Sequence, residues 1–162
     1  MPISARVSLG AFIKRVESLP KDLRQGTIKG LQSAAARGVG FVVEEINRAT
    51  PFPAVDRGEL QQSARVEMLP DGARIEVDAP HAAVVELGSR PFTPPLEPLI
   101  EWALRKGLAE DEEEAEDIAW GIRKRFQEEG YFPRYYFRKA MARTFAIIGE
   151  EVASELRKQR RG

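Results

Sequence analysis

The sequence predicts an α+β fold: a long N-terminal helix packed on a small antiparallel β-sheet, with a helical insertion and a long C-terminal helix. Three observations carry this. Apolar residues recur every three to four positions over 28–46 and again over 137–156, the period of a helix face. Between them, residues 64–77 alternate apolar and charged around Pro70-Asp71-Gly72, the pattern of a hairpin with one buried face. Helix start and stop signals then punctuate 96–130. The 162 residues fit a single α+β domain: helical over 8–49, a β-hairpin and short β segment over 60–90, a helical insertion over 95–130, and the last helix over 134–158.

Segment 8–49 reads as helical. Phe12, Ile13 and Val16 give a short apolar face before Pro20, which fits the first turn of the next helix, where a missing N–H costs nothing. Ile28, Leu31, Ala35, Val39, Val42 and Ile46 form the longer face. Gly26, Gly30, Gly38 and Gly40 weaken that helix unless a neighbour packs closely. Pro51 and Pro53 then force an extended loop.

In the hairpin, Ala64, Val66 and Met68 alternate with Arg65 and Glu67, while Ala73, Ile75 and Val77 alternate with Arg74 and Glu76. Residues 82–87 (Ala-Ala-Val-Val-Glu-Leu) fit either a third short strand or a short helix, since so brief a run has no decisive period. Grouped with the hairpin, they make the short β segment.

Four prolines between 91 and 98 stiffen the next loop. A helix begins near Leu96, with Leu99, Ile100, Ala103 and Leu104 on one face, and Gly107 ends it. The acidic run 110–117 leads a second helix whose stripe is Ala115, Ile118, Ala119, Ile122 and Phe126. Its carboxylates fall at the positive end of the helix dipole, and Arg123, Lys124 and Arg125 towards the negative end. After Gly130, the last helix presents Phe137, Met141, Phe145, Ile148, Val152 and Leu156.

Composition narrows the chemistry. With no cysteine, there is no disulfide, thiolate metal site or cysteine nucleophile. With 25 basic and 25 acidic residues there is no basic excess of the kind that nucleic-acid binders usually carry. No run is apolar for the length of a membrane span, so a soluble protein without membrane contact is expected. The one histidine, His81, follows a proline and lies in no nucleophile-elbow pattern. Ser63 and Ser89 are triad partners only by nearness in sequence. A hydrolase using His81 is the weakest reading; no catalytic residue, metal or cofactor is expected.

Three ordered segments resemble one family, the small siphophage neck, tail-completion and minor-tail proteins. Pro51 to Ser63 resembles the element with a proline, then Thr-Gly-x-Leu, then a serine; here Arg57 replaces the threonine, while Gly58, Leu60 and Ser63 are kept. His81 to Arg90 resembles Tyr-Ala-x-x-Val-Glu-Phe-Gly-Thr, with His81 for the tyrosine, Leu87 for the phenylalanine, and Glu86 and Gly88 kept. Phe132 to Ala140 resembles the late Pro-Phe-Phe-Arg-Pro-Ala element that opens the last helix. Pro94 to Trp102 also resembles members with a helical insertion. The resemblance spans about residue 25 to 150.

The resemblance implies a structural part of the head–tail junction with no enzymatic activity. It implies a homo-oligomeric ring, neighbouring head-connector and tail proteins as partners, contact with DNA in passage, a place in the virion neck or tail, and host cytoplasm during assembly. The residues that suit an interface are Phe92 on its stiff loop with Arg123, Arg125, Tyr131, Phe132 and Tyr135. The acidic run 110–117 and the basic stretch 123–139 are complementary and would let neighbouring subunits meet head to tail. The alternative is nucleic-acid binding by 123–139, where basic residues alternate with aromatics that can stack on bases.

Overall fold

The computed structural model of the chain describes residues 3–8, 20–48 and 56–160. They form two compact units, residues 1–83 with 135–162, and residues 84–134.

The first unit holds β1 (Ile3–Ser8), α1 (Lys21–Arg48), α2 (Glu59–Gln62), β2 (Ala64–Leu69) and β3 (Gly72–Val77). It also holds the last helix, numbered α6 below. The sheet is antiparallel with β3 central, in the order β1-β3-β2. The predicted hairpin forms in the register that its alternation demands: Val66 faces Ile75, and Arg65 faces Glu76. Ala73, Ile75 and Val77 are fully buried. On the other face Arg65 reaches Glu76 and Arg74 reaches Glu67, each at 3.1 Å. Such exposed pairs add little to stability; register is set by the buried face. Met68, on the apolar side of the pattern, is half exposed at the strand's end.

β1 corrects the expectation of helix from residue 8. Ile3 to Ser8 is a strand paired with β3 from Ile3–Val77 to Ser8–Gly72. The expected helix face at Phe12, Ile13 and Val16 and the loop at Pro51 and Pro53 lie outside the described residues. Pro20 sits one position earlier than expected, just before α1, and its carbonyl accepts from the Arg24 N–H at 3.1 Å.

The second unit holds most of α3 (Ala82–Leu87), then α4 (Glu97–Arg105) and α5 (Glu112–Glu129). So residues 82–87 are helical, not a β segment. Ala82's N–H bonds the Ala79 carbonyl and Gly88's bonds Val84's, which closes a short helix between Pro80 and Gly88. α4 packs on α5 through Ala103, Ala115 and Ala119, all fully buried. Gly107 adopts φ 64°, and Leu108 N–H returns to the Ala103 carbonyl at 3.0 Å, terminating α4 as expected. Asp111 caps α5 by accepting from Glu114 N–H at 2.9 Å, and the Glu114 carboxylate accepts from Glu110 N–H at 2.8 Å. That reciprocal arrangement satisfies donors that a helix start leaves open.

α6 (Tyr136–Gln159) completes the first unit. It runs antiparallel to α1: Gly26 lies by Leu156 and Gln159, Gly30 by Val152, and Gly38 by Thr144. α1 also contacts all three strands, and it carries buried Leu31, Ala34, Ala35, Val42 and Ile46. Three of the four glycines are thus points of close approach; Gly40 faces open space. Tyr136, wholly buried, donates its hydroxyl to the Ala82 carbonyl at 3.4 Å. One expected core residue is displaced. Phe145 is 54% exposed, and Thr144 takes the interior position against Gly38, its hydroxyl donating to the Ala140 carbonyl at 2.9 Å. Steps of four residues drift off a 3.6-residue period, so the true stripe passes from Met141 to Thr144.

Candidate functional site

Five of the six predicted interface residues belong to the second unit, and four of its aromatic rings are gathered where α5 ends. Phe92 N–H donates to the Phe126 carbonyl at 3.0 Å, and this holds the proline-stiffened loop against α5. The Phe92 ring stacks on Phe126 at 5.4 Å and 19°, and Phe126 meets Tyr131 at 5.9 Å. Gln127 donates to Thr93 Oγ1 at 3.2 Å, a further tie on the loop.

Arginines cover the remaining ring faces. Arg134 lies over Tyr131 at 5.7 Å and Arg125 over Phe132 at 5.4 Å, with Arg125 Nε also donating to Glu129 at 3.0 Å. Arg123 lies over Trp120 at 4.9 Å, and Trp120 Nε1 donates to Glu116 at 3.3 Å. A guanidinium over a ring is attractive by about 0.5–1 kcal/mol at exposed sites and holds both groups in place. Phe92, Trp120 and Phe132 nevertheless stay 42%, 50% and 54% exposed.

Glycine makes this local geometry. Gly130 ends α5 at φ 75°, and a Cβ there would strike the Ser89 carbonyl oxygen. Gly88, also at φ 75°, would place a Cβ 2.5 Å from the Tyr131 carbonyl oxygen. The outgoing and returning segments are joined by Ser89 N–H to Tyr131 O at 2.9 Å, Tyr131 N–H to Ser89 Oγ at 3.1 Å, and Arg134 N–H to Val85 O at 2.9 Å.

Tyr135, the sixth predicted residue, belongs to the first unit. It precedes α6 in a left-handed conformation (φ 54°, ψ 31°), with Arg138 over its ring at 4.8 Å. The motif residues are structural. Gly58, at φ 79°, opens α2; Leu60 is buried; and Ser63 closes α2 with its hydroxyl on the Leu60 carbonyl at 2.9 Å. Glu86 is buried, and Gly88 permits the close approach to Tyr131.

Trp120 was missed. It lies off the Ala115–Phe126 stripe and three residues before Arg123, so a tryptophan on the charged side of an amphipathic helix was the available signal. His81 is exposed in the turn before α3. The two serines suggested for it are engaged with main chain, Ser63 as donor and Ser89 as acceptor. Among the described residues, no three histidine or carboxylate side chains are placed to hold a metal ion. No helix there is long and apolar enough to cross a membrane.

Besides the pairs on the sheet, ion pairs of the first unit bridge the seam between α1 and α6. Arg143 binds Glu45 at 2.8 Å and Glu44 at 2.6 Å, and lies 4.1 Å over the Phe41 ring. The Arg143 hydrogen bond holds the Glu44 carboxyl below its ordinary range. Glu151 accepts from Ser33 Oγ at 2.6 Å and pairs with Arg37; these bonds, Ser33's first, likewise lower its pKa.

This geometry defines an α+β protein whose second unit presents aromatic rings under guanidinium groups. No family model, curated protein or solved structure matches the chain.

Proposed function

We propose that this chain is a structural protein of a bacteriophage virion, acting at the head–tail junction by assembly with copies of itself and with neighbouring virion proteins rather than by catalysis. The observation that carries this is the exposure of three rings in the second unit, Phe92, Trp120 and Phe132, each pre-positioned by stacking or by an arginine. Aromatic residues and arginine are the types enriched where protein interfaces are most buried, and rings already held in place lose little freedom on docking. The resemblance of the ordered motifs to neck and tail-completion proteins supplies the setting. Each described motif falls at a joint of the fold: Gly58 at the start of α2, Gly88 at the pairing with Tyr131, and Tyr135 at the start of α6.

Nucleic-acid binding by 123–139 is the second reading. Its arginines are attractive to phosphates, but Arg123, Arg125, Arg134 and Arg138 each already lie over a ring. The segment itself carries six basic against two acidic side chains, but residues 84–134, to which most of it belongs, carry 12 acidic against seven basic, a net of −5, which disfavours a polyanion.

Mass spectrometry of purified virions tests the proposal. We expect the chain among the particle proteins in a fixed, multiple copy number. Its absence from infectious particles overturns the reading.

A further inference from the structure

The neutral chain divides unequally. Residues 84–134 carry −5, so the remainder, with 18 basic and 13 acidic side chains, carries +5. Within each unit the excess is concentrated. In the first unit it gathers at one end of the α1–α6 pair. The neighbours of Gly26, Leu156 and Gln159, place the start of α1 against the close of α6. Lys21 and Arg24 therefore share that end with Arg157, Lys158 and Arg160, and all five are exposed. Only Lys158 has a carboxylate partner, Glu155 at 2.5 Å; among the described residues none pairs with Lys21, Arg24, Arg157 or Arg160.

The three cations of α6 suit the negative end of its dipole. Lys21 and Arg24 do the opposite: they stand at the positive end of α1, where a cation is destabilising, and beside like charges. Asp22 in the same turn and Glu155 beside Lys158 offset part of this charge, but five cations against two carboxylates leave the end basic. In the second unit, seven of the eight residues 110–117 are acidic and exposed or nearly so, and no lysine or arginine of the described residues pairs with them. The first turn of α5 justifies Glu112, Glu113 and Glu114; the concentration exceeds what one helix end requires.

We infer that the basic end of the α1–α6 pair is a docking surface for a second copy of this chain, which offers the acidic start of its α5. The inference rests on the assembly reading above and names the contact. The complementarity is heterologous: the surface given and the surface received are different, so one copy uses both. It also moves the basic partner away from 123–139, where the arginines already cover rings.

The test is a charge exchange in the full chain. One variant carries Lys21→Glu, Arg24→Glu and Arg157→Glu. The other carries Glu112→Lys, Glu113→Lys and Asp117→Lys, leaving the capping residues Asp111 and Glu114 in place. Circular dichroism checks folding, and Gln or Asn replacements serve where a reversal disturbs it. Sedimentation velocity is read at about 0.05 M and 0.5 M salt, since screening over about 10 Å or less weakens exposed pairs.

Each variant alone is expected to self-associate at least about tenfold more weakly than the wild type. Mixed, they restore association, because the reversed basic end of one now fits the reversed acidic run of the other; high salt abolishes it. Wild-type-like association of either variant, or no pairing in the mixture, overturns the contact. Loss of affinity for a DNA duplex in the first variant, without pairing in the mixture, also overturns it and assigns the surface to nucleic acid. Association that survives both reversals but falls on truncating Phe92 and Phe132 leaves the assembly reading intact while this contact fails.

Discussion

Gly30 of α1 has no side chain because the main chain of Val152 on α6 occupies its place: a Cβ there would lie 2.7 Å from the Val152 nitrogen. At Gly38 the obstacles are the Thr144 hydroxyl and the Ile75 methyl, at 2.6 and 2.7 Å. At Gly40 there is nothing within 4 Å. Three alanine substitutions on one helix should therefore differ in sign. Alanine gains about 1 kcal/mol over glycine in a helix interior, while overpacking costs about 1–3 kcal/mol. Urea unfolding should find Gly30→Ala destabilised by about 2 kcal/mol, Gly38→Ala less so because Ile75 can move, and Gly40→Ala stabilised by up to about 1 kcal/mol. Equal effects at the three positions would refute the close packing.

Glu151 links the same two helices. Its carboxyl is held below the ordinary range by Ser33 and Arg37. A carboxylate whose folded pKa is depressed adds stability above its unfolded value, and that contribution is lost as pH falls through the folded pKa. Stability should thus drop in the acid range below the ordinary carboxylate pKa of about 4.3. Glu151→Gln should be less stable at neutral pH and show a shallower acid decline. Parallel pH profiles for the two proteins would show that the pair contributes nothing.

Gly88 predicts a local effect. Alanine there meets both a left-handed backbone and the Tyr131 carbonyl. The backbone term alone costs about 1–2 kcal/mol. Hydrogen exchange should show lost protection around Ser89, Tyr131 and Arg134, whose N–H groups bond across this approach. Unchanged protection there would mean that the segments are held apart from this contact.

The exposed rings predict a separation of stability from association. Phe132→Ser and Trp120→Ser each remove a ring that is half exposed. Melting temperature should change little, since exposed substitutions usually shift stability by less than about 0.5 kcal/mol. If the chain is the virion component proposed above, its co-sedimentation with particles that lack it should fall at least about tenfold when these rings anchor the interface. Undiminished binding would put the anchor elsewhere.

Parts of this fold are legible in the sequence because the signal is local. Strict alternation on either side of Pro70-Asp71-Gly72 specifies β2 and β3, and Asp111 with its following glutamates specifies the start of α5. β1 was missed although Ile3, Ala5 and Val7 alternate with Ser4, Arg6 and Ser8. Its partner β3 is some seventy residues distant, and one short alternating run beside a helical pattern does not announce that pairing. At α3, two adjacent valines favour strand by type, but Pro80 and Gly88 bound a segment that closes as one helical turn and a half. Of the proposed interaction surface, Phe92, Arg123, Arg125, Tyr131 and Phe132 were legible as residue types. Their grouping, and Tyr135's separation into the other unit, follow from where Gly130 and the left-handed Tyr135 turn the chain. The basic end of α1 and α6 was invisible, because more than 130 residues separate Lys21 from Arg157.

The second unit is one uninterrupted stretch, 84–134, whereas the first needs α6 to cover α1. During synthesis the order of completion is therefore inverted. Everything that the Phe92–Phe126–Tyr131 stack requires precedes α6 in the chain, so that stack can form while α1 still exposes the face that α6 will cover. A domain folds as a unit once its residues have emerged, so the inner unit is finished first and the outer one waits for the final helix. A chain cut before Tyr136 would therefore keep the whole of 84–134 while leaving α1's glycine-lined face bare, the surface through which such a fragment would aggregate.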